Sequence, residues 1–195
     1  MLDHGVMSET TPGGAAPFLD LLRRYHADVT PHSGRHLLDH LVGVFRLLAS
    51  WGNSPEVCRA GLFHSIYGTN IFTVQSATFA ERAAIRAIIG ERAERLAFLF
   101  CISERPVAFL RAAAERRYVL DDIVHHQPVV VTPGEIAALL EIEVANFLEQ
   151  PENADDVRLI HDTIAAIAGG TPLISGAAMQ ALAAYVNNQR AGLAS

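Results

Sequence analysis

The sequence predicts an all-α domain of eight to ten helices, on three observations. Apolar residues recur at helical spacing from Pro17 almost to the end of the chain. Ser, Thr, Pro and Gly fall where helices start and stop. Runs of alternating β-branched and polar residues are nearly missing.

Residues 1–15 are polar and rich in Gly and Pro and are expected to form a flexible tail, with residues 16–195 as a single helical domain. Phe18, Leu21, Leu22 and Tyr25 mark a first helix. After Thr30-Pro31 a long stripe follows, Leu37, Leu41, Val44, Leu48 and Trp51, closed by Gly52. Ser54-Pro55-Glu56 restarts a helix, Ser as N-cap and Pro at the first position, running to His64. Gly68-Thr69-Asn70 opens a loop of about ten residues. Glu81–Ile89 and Glu91–Ile102 are helical on either side of Gly90, and Pro106 opens another helix through Arg117. Residues 121–131 are ambiguous, with Pro128-Val-Val-Val as a candidate extended segment. Thr132-Pro-Gly-Glu135 is a capping box starting a helix to about Glu149. Two more helices are expected, near Ala154–Ala168 and Ser175–Arg190.

Composition narrows the function. The chain has 195 residues, half of them hydrophobic, enough for one sizeable core. All 15 basic residues are Arg, so no lysine chemistry is available. A net charge of −6 argues against a nucleic-acid partner. No basic segment followed by an apolar one opens the chain and no run of 18 apolar residues occurs, so neither a secretory signal nor a membrane span is expected and the cytoplasm is the default location. Cys58 and Cys101 lie in apolar stretches and read as buried thiols rather than a disulfide, which two cysteines also permit.

Nine histidines are many for this length, and four lie between residues 32 and 64. His32, His36 and His40 are spaced by four, and His64 ends the next helix. Imidazole is the commonest metal ligand, and two neighbouring helices can share one ion. A lone helical His is more often a satisfied polar residue, so the spacing around the pair matters. Ser33-Gly34 is followed after five residues by His40, then Val44, Gly52 and, eleven residues on, His64-Ser65.

That spacing, over about residues 30–70, resembles the HD-domain superfamily, and within it the (p)ppGpp-hydrolase type. The resemblance implies an all-α fold, metal binding by His40 and His64, and a small anionic, phosphorylated or nucleotide-like substrate. The departures are as informative. The Asp of the family's His-Asp doublet is Ser65, its acidic pair is replaced by Tyr67-Gly68-Thr69, and the nearest match to its distal Leu-Ala-Asp is Leu96-Ala97-Phe98. Phosphohydrolase activity with Mn²⁺ should therefore be weak.

The candidate site is accordingly His40, His64 and His36 for a divalent transition metal (Fe, Zn or Mn) or none; His64 and Tyr67 as catalytic groups; and Arg35, Ser65 and Thr69 as ligand-binding groups. Arg35 can clamp an oxyanion, and Tyr67 can orient a water or substrate. Asp121, Asp122, His125 and His126 pair at i, i+4 and form a second cluster. The loop Ser65–Ala77 should wall the pocket. Three functions remain open: a metal-dependent hydrolase-like or oxygenase-like enzyme, a degenerate HD domain that binds a nucleotide-like ligand, and a helical partner-binding protein. The Ala-rich stretch Ala177–Ala184 could serve a homodimer interface.

Overall fold

The computed structural model describes residues 14–150, 154–168 and 172–192; the expected tail up to residue 13 lies outside them. Gly14 and Ala15, also assigned to the tail, instead form the turn into the first helix. Ala15 is fully buried and Gly14 faces the ring of Phe45.

Among the described residues there are nine α-helices: α1 Ala16–Arg24, α2 Leu37–Ser50, α3 Pro55–Leu62, α4 Arg82–Ile89, α5 Glu91–Ile102, α6 Val107–Glu115, α7 Pro133–Glu149, α8 Ala154–Ala168 and α9 Gly176–Gly192. The sequence's punctuation explains most boundaries. Ser54 accepts from the Val57 amide at the start of α3. Gly90 adopts φ +94°, which a side chain resists, and separates α4 from α5. Thr132 and Glu135 form a reciprocal capping box on α7.

Two short antiparallel hairpins interrupt the helices. In the first, β1 (Pro31–His32) pairs with β2 (Arg35–His36), His32 opposite Arg35. Ser33 and Gly34 both have positive φ (44° and 78°), the backbone a tight two-residue hairpin needs. In the second, β3 (Val119–Asp122) pairs with β4 (Gln127–Val130), so the ambiguous segment is a hairpin. Its helical pairings therefore do not form. Asp122 turns inward to accept from the amides of Val124 and His125, and it meets the His125 ring at 2.7 Å. Asp121 and His126 lie exposed on the hairpin.

The core is built on α7. Every residue from Ala138 to Phe147 is buried, including Glu141, Glu143 and Asn146. α2 packs against α3 and α7, and α3 against α5. The α2–α3 contact depends on Gly61, because a methyl there would overlap Leu48 and crowd Val44. Two helices that close place their facing ends in direct contact, and His40 and His64 occupy those ends. α9 lays Ala178 and Leu182 of its Ala-rich stretch into the core, and packs on α7 and α8. Cys58 and Cys101 are both buried and free, so no disulfide joins them. No helix among the described residues is long and apolar enough to cross a membrane.

Candidate functional site

His40 and His64 converge. Their Nε2 atoms are 3.4 Å apart, and each is 3.1 Å from Oδ1 of Asn146 on α7. Both imidazoles are buried. Their other nitrogens decide the protonation. Nδ1 of His64 is 2.7 Å from the Gly61 carbonyl, which can only accept. Nδ1 of His40 meets the carboxylate of Glu149. Each Nδ1 thus carries a hydrogen, and in the neutral His64 the Nε2 lone pair faces His40 and Asn146.

Burial, and then the nearby His40, push the His64 pKa well below the ordinary imidazole range. His64 is therefore neutral at pH 7. With its Nδ1 hydrogen committed to the Gly61 carbonyl, its Nε2 is the atom free to act as a ligand. Its position past the end of α3 follows from the same contact. The helix stops at Leu62, and the ring swings back to cap the Gly61 carbonyl, one of the acceptors a helix end leaves free.

Glu149 is the hub of the outer layer. Its carboxylate accepts from His40 Nδ1 and from the Arg35 guanidinium, and Arg35 also donates to the Glu149 carbonyl at 3.2 Å. Burial raises the Glu149 pKa, but the hydrogen bonds from His40 and Arg35 outweigh it and hold the carboxyl below its usual range. Gly43 makes the approach possible. A methyl there would occupy the space of the Glu149 carboxylate. The room that Gly43 leaves beside His40 is filled by Glu149.

Several expected site residues stand elsewhere. His36 is the exposed N-cap of α2 and makes no contact with His40; the imidazole beside His40 is that of His32, stacked at 4.4 Å between centroids and 9° between planes. An extended N-cap residue cannot share a helical face with His40, so the i, i+4 pairing fails. Arg35 spends its charge on Glu149. Tyr67 is buried and donates to Glu94 at 3.1 Å, in a network with Arg82 and Arg86 away from the histidines. Thr69 accepts from the amides of Ile71 and Phe72, stabilising its own loop. Phe98, at the expected distal-ligand position, lies under the Arg82 guanidinium at 3.4 Å. Ser65 stays at the site.

A cavity of about 260 Å³ opens beside the pair, lined among others by His32, His64, Ser65, Phe72, Arg105 and Asn146. Ser65, Ile71 and Phe72 give it one wall; Tyr67, Gly68 and Thr69 line a separate cavity of about 170 Å³. The loop is thus shared between two cavities.

Sequence reasoning missed Asn146, Glu149, Gln150 and Arg105. A signal was present. The buried part of α7 is largely apolar, and Glu143, Asn146 and Glu149 interrupt it at i, i+3 and i+6, one helical stripe that Gln150 follows as the extended C-cap, while Glu141 bonds Asn53 and Ser175 instead. Polar side chains in register on an otherwise buried helix mark a place where chemistry has displaced packing.

A family model described as Domain of unknown function (DUF6817) matches residues 21–105. The matched segment includes His32, His40, His64, Ser65 and Arg105, and ends before the α7 residues of the site. No match was found among curated proteins or among solved structures.

Proposed function

We propose that the chain is an HD-like enzyme whose His40, His64 and Asn146 hold one divalent transition-metal ion next to a cavity for a small anionic substrate. The observation that carries this is the convergence of two imidazole Nε2 atoms and an amide oxygen within 3.1–3.4 Å of one another. Two imidazole nitrogens bound to a tetrahedral ion at ~2.0–2.1 Å stand roughly 3.3–3.4 Å apart. Among the described residues no three His, Cys, Asp or Glu side chains form a ligand group, so the third donor here is an amide. A neutral N, N, O set favours Zn²⁺ or Fe²⁺ over Mn²⁺ or Mg²⁺, which prefer several oxygen ligands. When bound, such an ion supplies Lewis acidity and lowers the pKa of a coordinated water.

The HD resemblance gains a point here. Asn146 stands in Val144-Ala145-Asn146, a better counterpart of the distal Leu-Ala-Asp than Leu96-Ala97-Phe98. Around it, Glu149 holds the His40 ring and the Gly61 carbonyl holds the His64 ring, the outer-layer pattern typical of metal-bound histidines. Ile71 and Phe72 give the cavity apolar lining. A cytoplasmic location belongs to the same proposal, supported by two free buried thiols of the kind a reducing compartment maintains.

A second function follows from the same distances. If the Asn146 amide is turned, its NH2 donates to both imidazoles and satisfies them without an ion. The chain would then bind a ligand without metal chemistry. Metal analysis by inductively coupled plasma mass spectrometry separates the two. One equivalent of metal in the purified protein, lost in His40→Ala, His64→Ala and Asn146→Ala and retained in Asn146→Asp, is expected. No stoichiometric metal, with no saturable uptake of Zn²⁺ or Fe²⁺ on titration, overturns the metal assignment.

A further inference from the structure

We propose that Arg105 and Ser65 form an oxyanion subsite in the 260 Å³ cavity, selecting a small molecule with a carboxylate or phosphoryl head and excluding nucleotides. The inference rests on the metal assignment above for its setting, but on different atoms.

Buried polar side-chain atoms without a hydrogen-bond partner are rare, because each costs the desolvation it does not recover. Among the described residues Arg105 Nε, Ser65 Oγ and His32 Nδ1 are such atoms and belong to residues lining this one cavity, whereas Ser76 Oγ is another that lies outside it. Arg105 is 6% exposed and Ser65 1% exposed. Arg105 is fixed from three sides. Its Nη1 donates to Glu143 at 2.7 Å, its guanidinium lies 4.6 Å from the Phe100 ring centre, and its carbonyl accepts from Asn70. The remaining Nε–H is held in place with nothing to bond. Ser65 immediately follows His64, so its hydroxyl is anchored by the same turn that places the imidazole.

Two orphan donors, one of them on a permanent cation, call for an acceptor that carries negative charge. The surroundings set the charge balance. Arg35 is paired with Glu149 and Arg105 with Glu143. The ion pairs cancel, so a divalent ion at His40 and His64 would make the pocket net positive, and oxyanion binding would tighten with metal. His32 Nδ1 remains as an acceptor for a hydroxyl or water on the ligand.

Size completes the selection. About 260 Å³ is below the ~300–1,000 Å³ of pockets that enclose drug-sized ligands. At ~30 Å³ per water it equals the space of roughly nine waters. A phosphate or a short carboxylate fits inside it, whereas a nucleoside diphosphate would have to extend through its mouth.

The test is isothermal titration calorimetry of the full chain with inorganic phosphate, acetate and GDP, in Zn²⁺-loaded and chelator-treated protein, for wild type, Ser65→Ala and Arg105→Lys. Loss of one hydrogen bond to a charged group should weaken phosphate or acetate binding roughly tenfold or more in each variant. Ser65→Ala should keep or raise the melting temperature, since the deleted hydroxyl has no partner; it decides the matter even where Arg105→Lys fails to fold. The tighter of phosphate and acetate identifies the head group. Affinities unchanged by Ser65→Ala, no binding of either small anion, or GDP binding tenfold tighter than phosphate would each overturn the subsite. Ser65-dependent binding in chelator-treated protein that takes up no metal upholds the subsite and removes the metal. Stoichiometric metal with no anion binding does the reverse.

Discussion

Glu149→Gln isolates the contact on which the site's rigidity depends. Glutamine keeps the volume and one acceptor oxygen and removes only the charge. Glu149 bonds two partners of different worth. Its side chain is 10% exposed and meets the fully buried His40, and a hydrogen bond to a charged group of that kind contributes ~1.5–3 kcal/mol. Arg35 is 36% exposed, so its ion pair with Glu149 is screened and adds ~0–1 kcal/mol. Because Gln still accepts, the expected loss is the difference between a charge-assisted and a neutral hydrogen bond, about 1–1.5 kcal/mol. At ~2–4 °C per kcal/mol for a chain of this length, the melting temperature should fall about 2–6 °C at pH 7.

The pH dependence sharpens the test. The folded pKa of Glu149 lies below its ordinary value of 4.5. A depressed carboxylate stabilises the fold above the unfolded pKa, and the stabilisation is lost as pH falls through the folded pKa. The gap between wild type and Glu149→Gln should therefore be full above pH ~5 and shrink as the pH drops below 4. Asp122 and Glu135 are depressed as well, but both proteins contain them, so the difference reports Glu149 alone. Calorimetric scans across that range suffice. An equal melting temperature at pH 7, or a gap that persists unchanged in acid, would refute the role given to the Glu149–His40 contact.

Three further outcomes are expected. Gly43→Ala gains ~1 kcal/mol of helix propensity but displaces the Glu149 carboxylate; metal affinity by equilibrium dialysis should drop 10–100-fold while the melting temperature moves by only a few degrees. Tyr67→Phe removes the bond to Glu94, which keeps Arg82 and Arg86, so thermal scans should show a loss of about 1 kcal/mol with metal content intact. Thr132→Ala breaks the α7 capping box and should cost about 1 kcal/mol in urea titration; an unchanged midpoint would mean that packing alone sets the start of α7.

The helices and the His40–His64 pair were legible in the sequence because their causes are local. The stripe Leu37–Trp51, the Ser54-Pro55 start, Gly90 and the Thr132 capping box act within one or two turns of chain. The two hairpins were harder. β1–β2 is four residues around a turn, too short for alternation to show, and the His125–His126 stretch mimics a helical pattern that the β3–β4 pairing overrides.

The rest of the site belongs to the tertiary structure. Asn146 and Glu149 come from α7 and Gln150 follows its last turn, more than a hundred residues after His40, and only the packing of α7 on α2 brings them together. The same packing gives the space beside Gly43 to Glu149, which in turn takes the charge of Arg35. Spacing in a sequence specifies which face of a helix a side chain occupies. It does not specify which other helix meets that face, and in this chain the placing of Asn146 between the two imidazoles, the partner of His40 and the pairing of Arg35 all depend on that meeting.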